Sequence, residues 1–598
     1  MLLRRKPGFL KSPGHPALWA MFFLMVCFKG GAAFAAVALD TPILLLDPGM
    51  HADPIQKMVM DQDERIIATI SLDKTVRIWK LSNLQLWKTI RVPMVSGSEG
   101  KLNALALSPS GNVIAVGGDT CRTWTNAFCI YLFDTQSGKM QLKVSGLPEQ
   151  VNDLAFSKDG QYLAAVMANG AGLRVFRTNN GQQVAKDTGY GGSAFSVKFS
   201  PKGKIVTTCH DGKVRLYDST LRFEFSKQVP QDFKPQEAIF SPDGEKIAVS
   251  FLGKPLVSVF STKNMEILYL PDMTGVTGIL RSLAWSVDGK SLYGAGEHMV
   301  RFKRMVRWWS DAGQPDSSGK GAFVDIPVTE SNIQRILSLK DGGIVFTSLS
   351  SALGQVDSQG FLGTVRKYPN VIFPKCRGFM KISPSGDIIS FPMTPDLSMT
   401  GVFALDRLQF SINQPVTSEL IVPKRRATSF NLKAKLVNDN LHLEFEGQDL
   451  PMLNNEDVSC FSIARDERFF VVSTNTALRM YDRSGEQRWR LLLSSPLRAL
   501  NITENGKFAI VALFDGTVNW YHITTGRLVL SLFIHADRGE WVAWTPDYYY
   551  SSSKNAENYL GWHANVSLDQ AASFTPVAKM KAKYNKPSII QKILRGGL

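Results

Sequence analysis

The sequence predicts an all-β chain of tandem β-propellers, about twelve four-stranded repeats in two rings with a short C-terminal helical tail. Three observations carry this. Turn motifs recur at a nearly constant interval, the runs between them alternate apolar and polar residues, and many of those runs end in an aromatic residue. A fixed interval of about 40–45 residues marks a unit that cannot bury its own faces and must stack on copies of itself. The interval overrides the usual reading of 598 residues as about four domains.

The first turn of each repeat is Ser-Pro-x-Gly or a close variant. It stands at Ser108-Pro109-Ser110-Gly111, Ser157-Lys158-Asp159-Gly160, Ser200-Pro201-Lys202-Gly203, Ser241-Pro242-Asp243-Gly244, Ser286-Val287-Asp288-Gly289 and Ser383-Pro384-Ser385-Gly386. Lys340-Asp341-Gly342, Arg465-Asp466-Glu467 and Glu504-Asn505-Gly506 continue the series. The gap from Gly386 to Glu467 is twice the usual spacing, so a degenerate unit is expected near residues 420–455. The second turn appears as Leu72-Asp73-Lys74, His210-Asp211-Gly212 and Phe514-Asp515-Gly516, of which the Asp-Gly pairs suit a tight hairpin. A third strand follows as Val76-Arg77-Ile78-Trp79, Val214-Arg215-Leu216-Tyr217 or Val518-Asn519-Trp520-Tyr521, and its period of two sets one face against a core.

Four strands per repeat with these turns is the WD40-type propeller signature. Twelve blades exceed the usual range for one ring, so two rings are expected. We assign an N-terminal propeller of about seven blades to residues 39–370, a smaller or irregular one to 371–562, and a basic tail to 563–598. The strand at 42–46 precedes the first repeat and is expected to complete a distant blade. Within the first repeat, His51, Ser71, Asp73 and Trp79 form the expected structural blade network of buried hydrogen bonds.

Residues 1–38 read as an export signal. Arg4, Arg5, Lys6 and Lys11 precede a 12-residue apolar run at 17–28, and Ala36-Val37-Ala38 offers a cleavage site. Lys29 ends the apolar run short of the roughly 20 residues that span a bilayer. The chain is therefore expected to be periplasmic or secreted, with a membrane anchor formed by an uncleaved signal as the alternative. Export places Cys121, Cys129, Cys209, Cys376 and Cys460 in an oxidising compartment. Cys121 and Cys129 lie close enough to face each other across a hairpin and are the disulfide candidate; the others read as isolated core or strand cysteines.

The net charge of +16 comes from 68 basic and 52 acidic residues, and falls to +11 once the five basic residues of the leader are set aside. At least six of the remainder (Lys579, Lys581, Lys583, Lys586, Lys592 and Arg595) crowd the C-terminus, where Ile589, Ile590, Ile593 and Leu594 are spaced for a helix. That tail could touch an anionic membrane or pack on the last blade. Basic and aromatic residues also mix at 301–309, but alternation fits a solvated strand face, and no nucleic-acid partner is expected of an exported chain.

The C-terminal elements Trp544-Thr545-Pro546-Asp547 and Gly561-Trp562-His563, with 99–109, 170–176 and 478–489, resemble bacterial WD40-repeat proteins of the kind found joined to caspase-like protease domains. The likeness spans nearly all of the chain after the leader, but Tyr548-Tyr549-Tyr550 replaces a Gly- and Asp-containing turn. No Cys follows Cys460, so the recognition half of that architecture stands here without the protease.

No HExxH, GxSxG or P-loop is present, and His563 reads as a packed histidine. No catalytic, cofactor-binding or metal site is assigned, and no cofactor is expected. The leading expectation is a non-enzymatic exported scaffold or ligand-recognition module with a protein partner. The alternatives are an exported propeller enzyme (a quinoprotein-like dehydrogenase or a hydrolase) and a sensor subunit for a separately encoded protease.

Overall fold

The computed structural model describes residues 42–595 apart from positions 96, 231–232, 318, 320, 370, 372–379, 395–396, 417–418, 438–439, 454–455, 494 and 537–538. The segment expected to be an export signal and Cys376 lie outside the described residues. Leu39–Leu598 is one compact unit.

Seven four-stranded antiparallel sheets follow one another at 55–91, 102–147, 151–187, 194–228, 234–269, 280–329 and 333–366. These are blades 1 to 7. Their strands pair in chain order, and the first strand of each blade lies beside the first strand of the next. Blade 7's first strand, Ile333–Ser338, lies beside Ile55–Met60 of blade 1, so the seven blades form a closed ring. Blades 1 and 7 each supply all four of their own strands, and the ring closes without strand exchange, through packing and through hydrogen bonds such as Gln355 to the Leu81 carbonyl and the Lys340 N–H to Glu64.

The turn motif works through its serine. In blade 3 the Ser157 hydroxyl accepts the Tyr162 N–H at 2.9 Å, and Ser241 and Ser286 repeat this five-residue reach onto Lys246 and Ser291. The bond starts the second strand. The glycine three residues after each serine takes a left-handed φ, 72° at Gly160, which a side chain would strain. A register shift recurs in the first strand of all seven blades, and the residue after it is Lys57, Ala104, Asp153, Ser196, Glu237, Ser282 or Arg335 in turn. A bulge re-aims the following side chain. Lys57 of blade 1 meets Asp153 of blade 3 at 2.8 Å, and Arg335 of blade 7 meets Glu237 of blade 5 at 3.3 Å. Neither pair joins neighbouring blades, so these side chains meet on the ring axis.

Further sheets follow at 381–412, 432–492 and 497–552, here blades 8 to 10. Buried Phe391 and Phe403 of blade 8 pack with Ile510 and Trp520 of blade 10, whereas Leu478 of blade 9 packs with Leu500 and Val511 of blade 10. Phe533, Val542 and Tyr550 of blade 10 share a cluster with Ile55, Trp79 and Leu353 of the ring. The degenerate unit expected near 420–455 is the hairpin Leu432–Val437 with Asn440–Phe445, which extends blade 9 and forms no sheet of its own. Ten blades therefore stand among the described residues where turn spacing suggested about twelve repeats, and the merged hairpin accounts for one of the two missing.

The eleventh sheet joins the two ends of the described chain. Ile43–Leu46 pairs with Leu560–Ala564, which pairs with Ser573–Pro576. The strand at 42–46 thus completes this three-stranded clasp, not a blade of the ring. At its end Asp47 forms buried ion pairs with Arg77 and Arg91 of blade 1. Tyr548 holds φ 72° beside the clasp, donates its hydroxyl to the Pro42 carbonyl at 3.0 Å, and packs edge-on to Trp562. Here, then, is the place of the tyrosine that departs from the Gly- and Asp-containing turn. The tail continues as Lys581–Tyr584 and Pro587–Lys592. Ile590 and Leu594 are buried in the core shared by blades 8 and 10, and Gln591 donates to the Asp406 carbonyl at 2.9 Å. The apolar side of this helix is covered, so a membrane would meet its exposed lysines alone.

Candidate functional site

The expected blade network is assembled around a residue the sequence reading passed over. Thr69, fully buried, receives the Trp79 indole N–H at 2.8 Å and faces His51 Nε2 at 2.8 Å. His51 Nδ1 faces Asp73 Oδ2 at 2.9 Å. One proton assignment satisfies every partner: Trp79 donates to Thr69, Thr69 to His51 Nε2, and His51 Nδ1–H to Asp73. Burial holds His51 below its ordinary pKa, so the ring is neutral at pH 7 as this chain requires. Ser71 stands beside the chain, donating to the Asp53 carbonyl and accepting the Asp73 N–H. Thr69→Val leaves a buried indole N–H and a buried ring nitrogen unpaired and should cost about 2–4 kcal/mol. Thermal unfolding should show Thr69→Ser close to wild type; equal losses in both variants would refute the relay.

Cys121 and Cys129 form a disulfide, both sulfurs buried, with Cα atoms 5.8 Å apart. It closes the short helix Arg122–Thr125 onto the strand Phe128–Asp134. Cys460, read from sequence as isolated, is also disulfide-bonded, and Cys209 is a buried free thiol. His563 is buried on the clasp strand and bonded to Asn565 at 3.1 Å; burial lowers its pKa to about 4. In the basic stretch at 301–309, Arg307 is buried against Asp325, Lys303 pairs with Glu330, and Arg304 bonds the Glu297 carbonyl. Three of its four cations are thereby engaged within blade 6. Among the described residues no group of three or more His, Cys, Asp or Glu is placed to hold a metal ion, and no helix is long and apolar enough to cross a membrane.

A groove of about 570 Å³ lies between the outer strands of blades 3 and 4. Its floor is a variant of the blade-1 network. Tyr217 takes the place of Trp79 and Thr207 that of Thr69 in matching strand registers. Tyr190 Oη lies 2.7 Å from Thr207 and 2.9 Å from Tyr217, whose hydroxyl donates to Asp187 at 2.7 Å. Arg215 donates to Asp211 at 2.6 Å and to the Gly189 carbonyl at 2.7 Å, and its guanidinium carbon lies over the Tyr190 ring, 4.1 Å from the centroid. Although burial opposes it, the Arg215 bond holds the Asp211 carboxyl down at about 2. The floor is thus saturated and rigid.

The walls differ. Lys186, Lys213 and Arg222 line them and make no ion pair among the described residues. Phe223 is 55 % exposed at the rim, edge-on to Tyr217. Such a groove offers cations and an aromatic anchor, and the one carboxylate among its lining residues, Asp187, is engaged by the Tyr217 hydroxyl and the Gly189 N–H. The strands were legible in the sequence, but Asp187 ends the outer strand of blade 3 and Tyr190 lies in the connection after it, neither within a motif, so the groove was not.

Closed blade ring, repeated turns and buried networks together define a β-propeller built of WD40-type blades. Residues 49–80 and 181–218 match the family described as WD domain, G-beta repeat. Among similar proteins, pre-mRNA-processing factor 19 homolog 2 of Arabidopsis thaliana is 26 % identical over 44 % of this chain and 50 % of its own length. Coronin-7 of Homo sapiens is 29 % identical over 36 % of this chain and 18 % of its own. An uncharacterised WD repeat-containing protein of Synechocystis is 25 % identical over 28 % of this chain and 46 % of its own. The chain thus spans half or less of the length of these relatives.

Proposed function

We propose that this chain is an exported, non-enzymatic interaction scaffold that docks an acidic protein segment in the groove between blades 3 and 4. The observation that carries the reading is the unpaired Lys186, Lys213 and Arg222 beside exposed Phe223, over a floor whose own polar groups are satisfied. Aromatic and arginine side chains in a rigid concavity are the usual anchors of protein association. Disulfide bonding at Cys121, Cys129 and Cys460 supports export, since such bonds persist in oxidising compartments. A role as the sensor for a separately encoded protease would use the same groove, with the acidic segment on the protease. The domain division at residue 370 belongs to this reading, the ring carrying the partner and the later blades supporting it.

The test is peptide display on the full chain. Extended 12-residue peptides enriched on wild type should carry Asp or Glu beside an apolar residue. The double variant Lys186→Glu with Arg222→Glu should bind them at least ten-fold more weakly, a loss of about 1.4 kcal/mol. Undiminished binding would remove the groove from the proposal, and enrichment of basic peptides would reverse its sign.

A further inference from the structure

The axis of the ring carries a charge imbalance unrelated to the groove. Lys57, Lys198 and Arg335 converge there on two carboxylates, Asp153 and Glu237. Asp153 is shared: Oδ1 takes Lys57 at 2.8 Å, while Oδ2 takes Lys198 at 3.2 Å and the Val197 N–H at 3.0 Å. Glu237 divides itself between Arg335 at 3.3 Å and the Leu283 N–H at 2.8 Å. Both acids are therefore used up, and one positive charge is left over.

The donors are not used up. Lys57 has three N–H bonds and a single carboxylate partner. Arg335 Nε is buried with no partner among the described residues. Ser196 follows the bulge of blade 4 in the same layer; it is 2 % exposed, and its hydroxyl likewise has no partner among the described residues. Burial first, and then the nearby Arg335, push the Lys57 ammonium down to about 8 despite Asp153. The Lys198 side chain, 33 % exposed, marks the end open to solvent.

A buried layer with spare donors, engaged acceptors and surplus positive charge is complementary to a small acceptor-only ligand. We propose that the axis of the seven-bladed ring binds one small oxyanion of the phosphate or sulfate class, held by Lys57, Arg335 and the Ser196 hydroxyl. The anion neutralises the axis and ties blades 1, 4 and 7 together through a shared partner.

The experiment uses the full chain, inorganic phosphate as the probe, and gluconate to match ionic strength. Calorimetric titration of wild type should give one saturable site, with a matching saturable rise in unfolding temperature. Ser196→Ala should weaken phosphate at least three-fold. Lys198→Gln removes the surplus charge from a partly exposed position; it should weaken phosphate ten-fold or more and melt higher than wild type when phosphate is absent. A linear phosphate effect of equal size in wild type and both variants is the general salting effect of such anions and would overturn the proposal. So would a Lys198→Gln protein that melts lower than wild type by the same margin with and without phosphate.

Discussion

Asp47→Asn should destabilise the protein by about 3–5 kcal/mol, the cost of leaving a buried charge without its partner. Asp47 is the acid that the Arg77 and Arg91 side chains share as they come off blade 1, and both arginines are buried. The isosteric amide keeps the volume and removes the charge, so the loss measures electrostatics more than packing. Burial alone would raise the Asp47 pKa, but the two guanidinium groups outweigh it and hold the carboxyl below its ordinary value. The folded state therefore binds this proton more weakly than the unfolded one. The stabilisation is complete above the unfolded carboxyl range and is lost as pH falls through the folded value. Thermal unfolding from neutral to acid pH should show wild type converging on Asp47→Asn. A constant gap down to pH 2 would mean that Asp47 acts through shape.

Trp520→Ala should be of similar size, about 3–5 kcal/mol. Trp520 is fully buried where blade 8 meets blade 10, and its indole N–H donates to the Gly386 carbonyl at 2.9 Å in the turn of blade 8. Truncation opens a cavity among Phe391, Phe403 and Ile510 and orphans that carbonyl. Trp520→Phe refills most of the space and should recover more than half of the loss. With several sheets in one unit the unfolding need not be two-state, so tryptophan emission and far-ultraviolet dichroism should be followed together. The alanine variant should split them into separate transitions, with blade 8 released first; one coincident transition at the wild-type temperature would contradict this account.

What could be read in advance follows from how locally each feature is encoded. The serine turns were legible because the hydroxyl of Ser157 or Ser241 acts within five residues. Asp73 and Trp79 were legible as strand and turn residues out of keeping with their neighbours. Thr69 was not, because threonine in the middle of a strand needs no explanation until His51 and Trp79 are seen on either side of it. The hairpin at 432–445 lacks the serine turn and lost its identity as a separate unit. The groove and the axial layer draw single residues from several blades, and nothing local marks Lys57 and Asp153 as partners.

The pairing of Ile43–Leu46 with Leu560–Ala564 also sets an order of events. The ring from 55 to 366 can form as its own blades are made, because each blade is complete within itself. The strand before it cannot be paired until more than 500 further residues have emerged, and closing so long a loop carries an entropic cost that local blade formation avoids. During synthesis the segment at 43–46 therefore settles only after the ring has formed. Until then Ile43–Leu46 is an apolar strand with two open edges, the kind of segment that recruits other chains or a holding chaperone. Chains cut short before residue 560 should carry that exposed strand permanently, aggregating while their ring is intact.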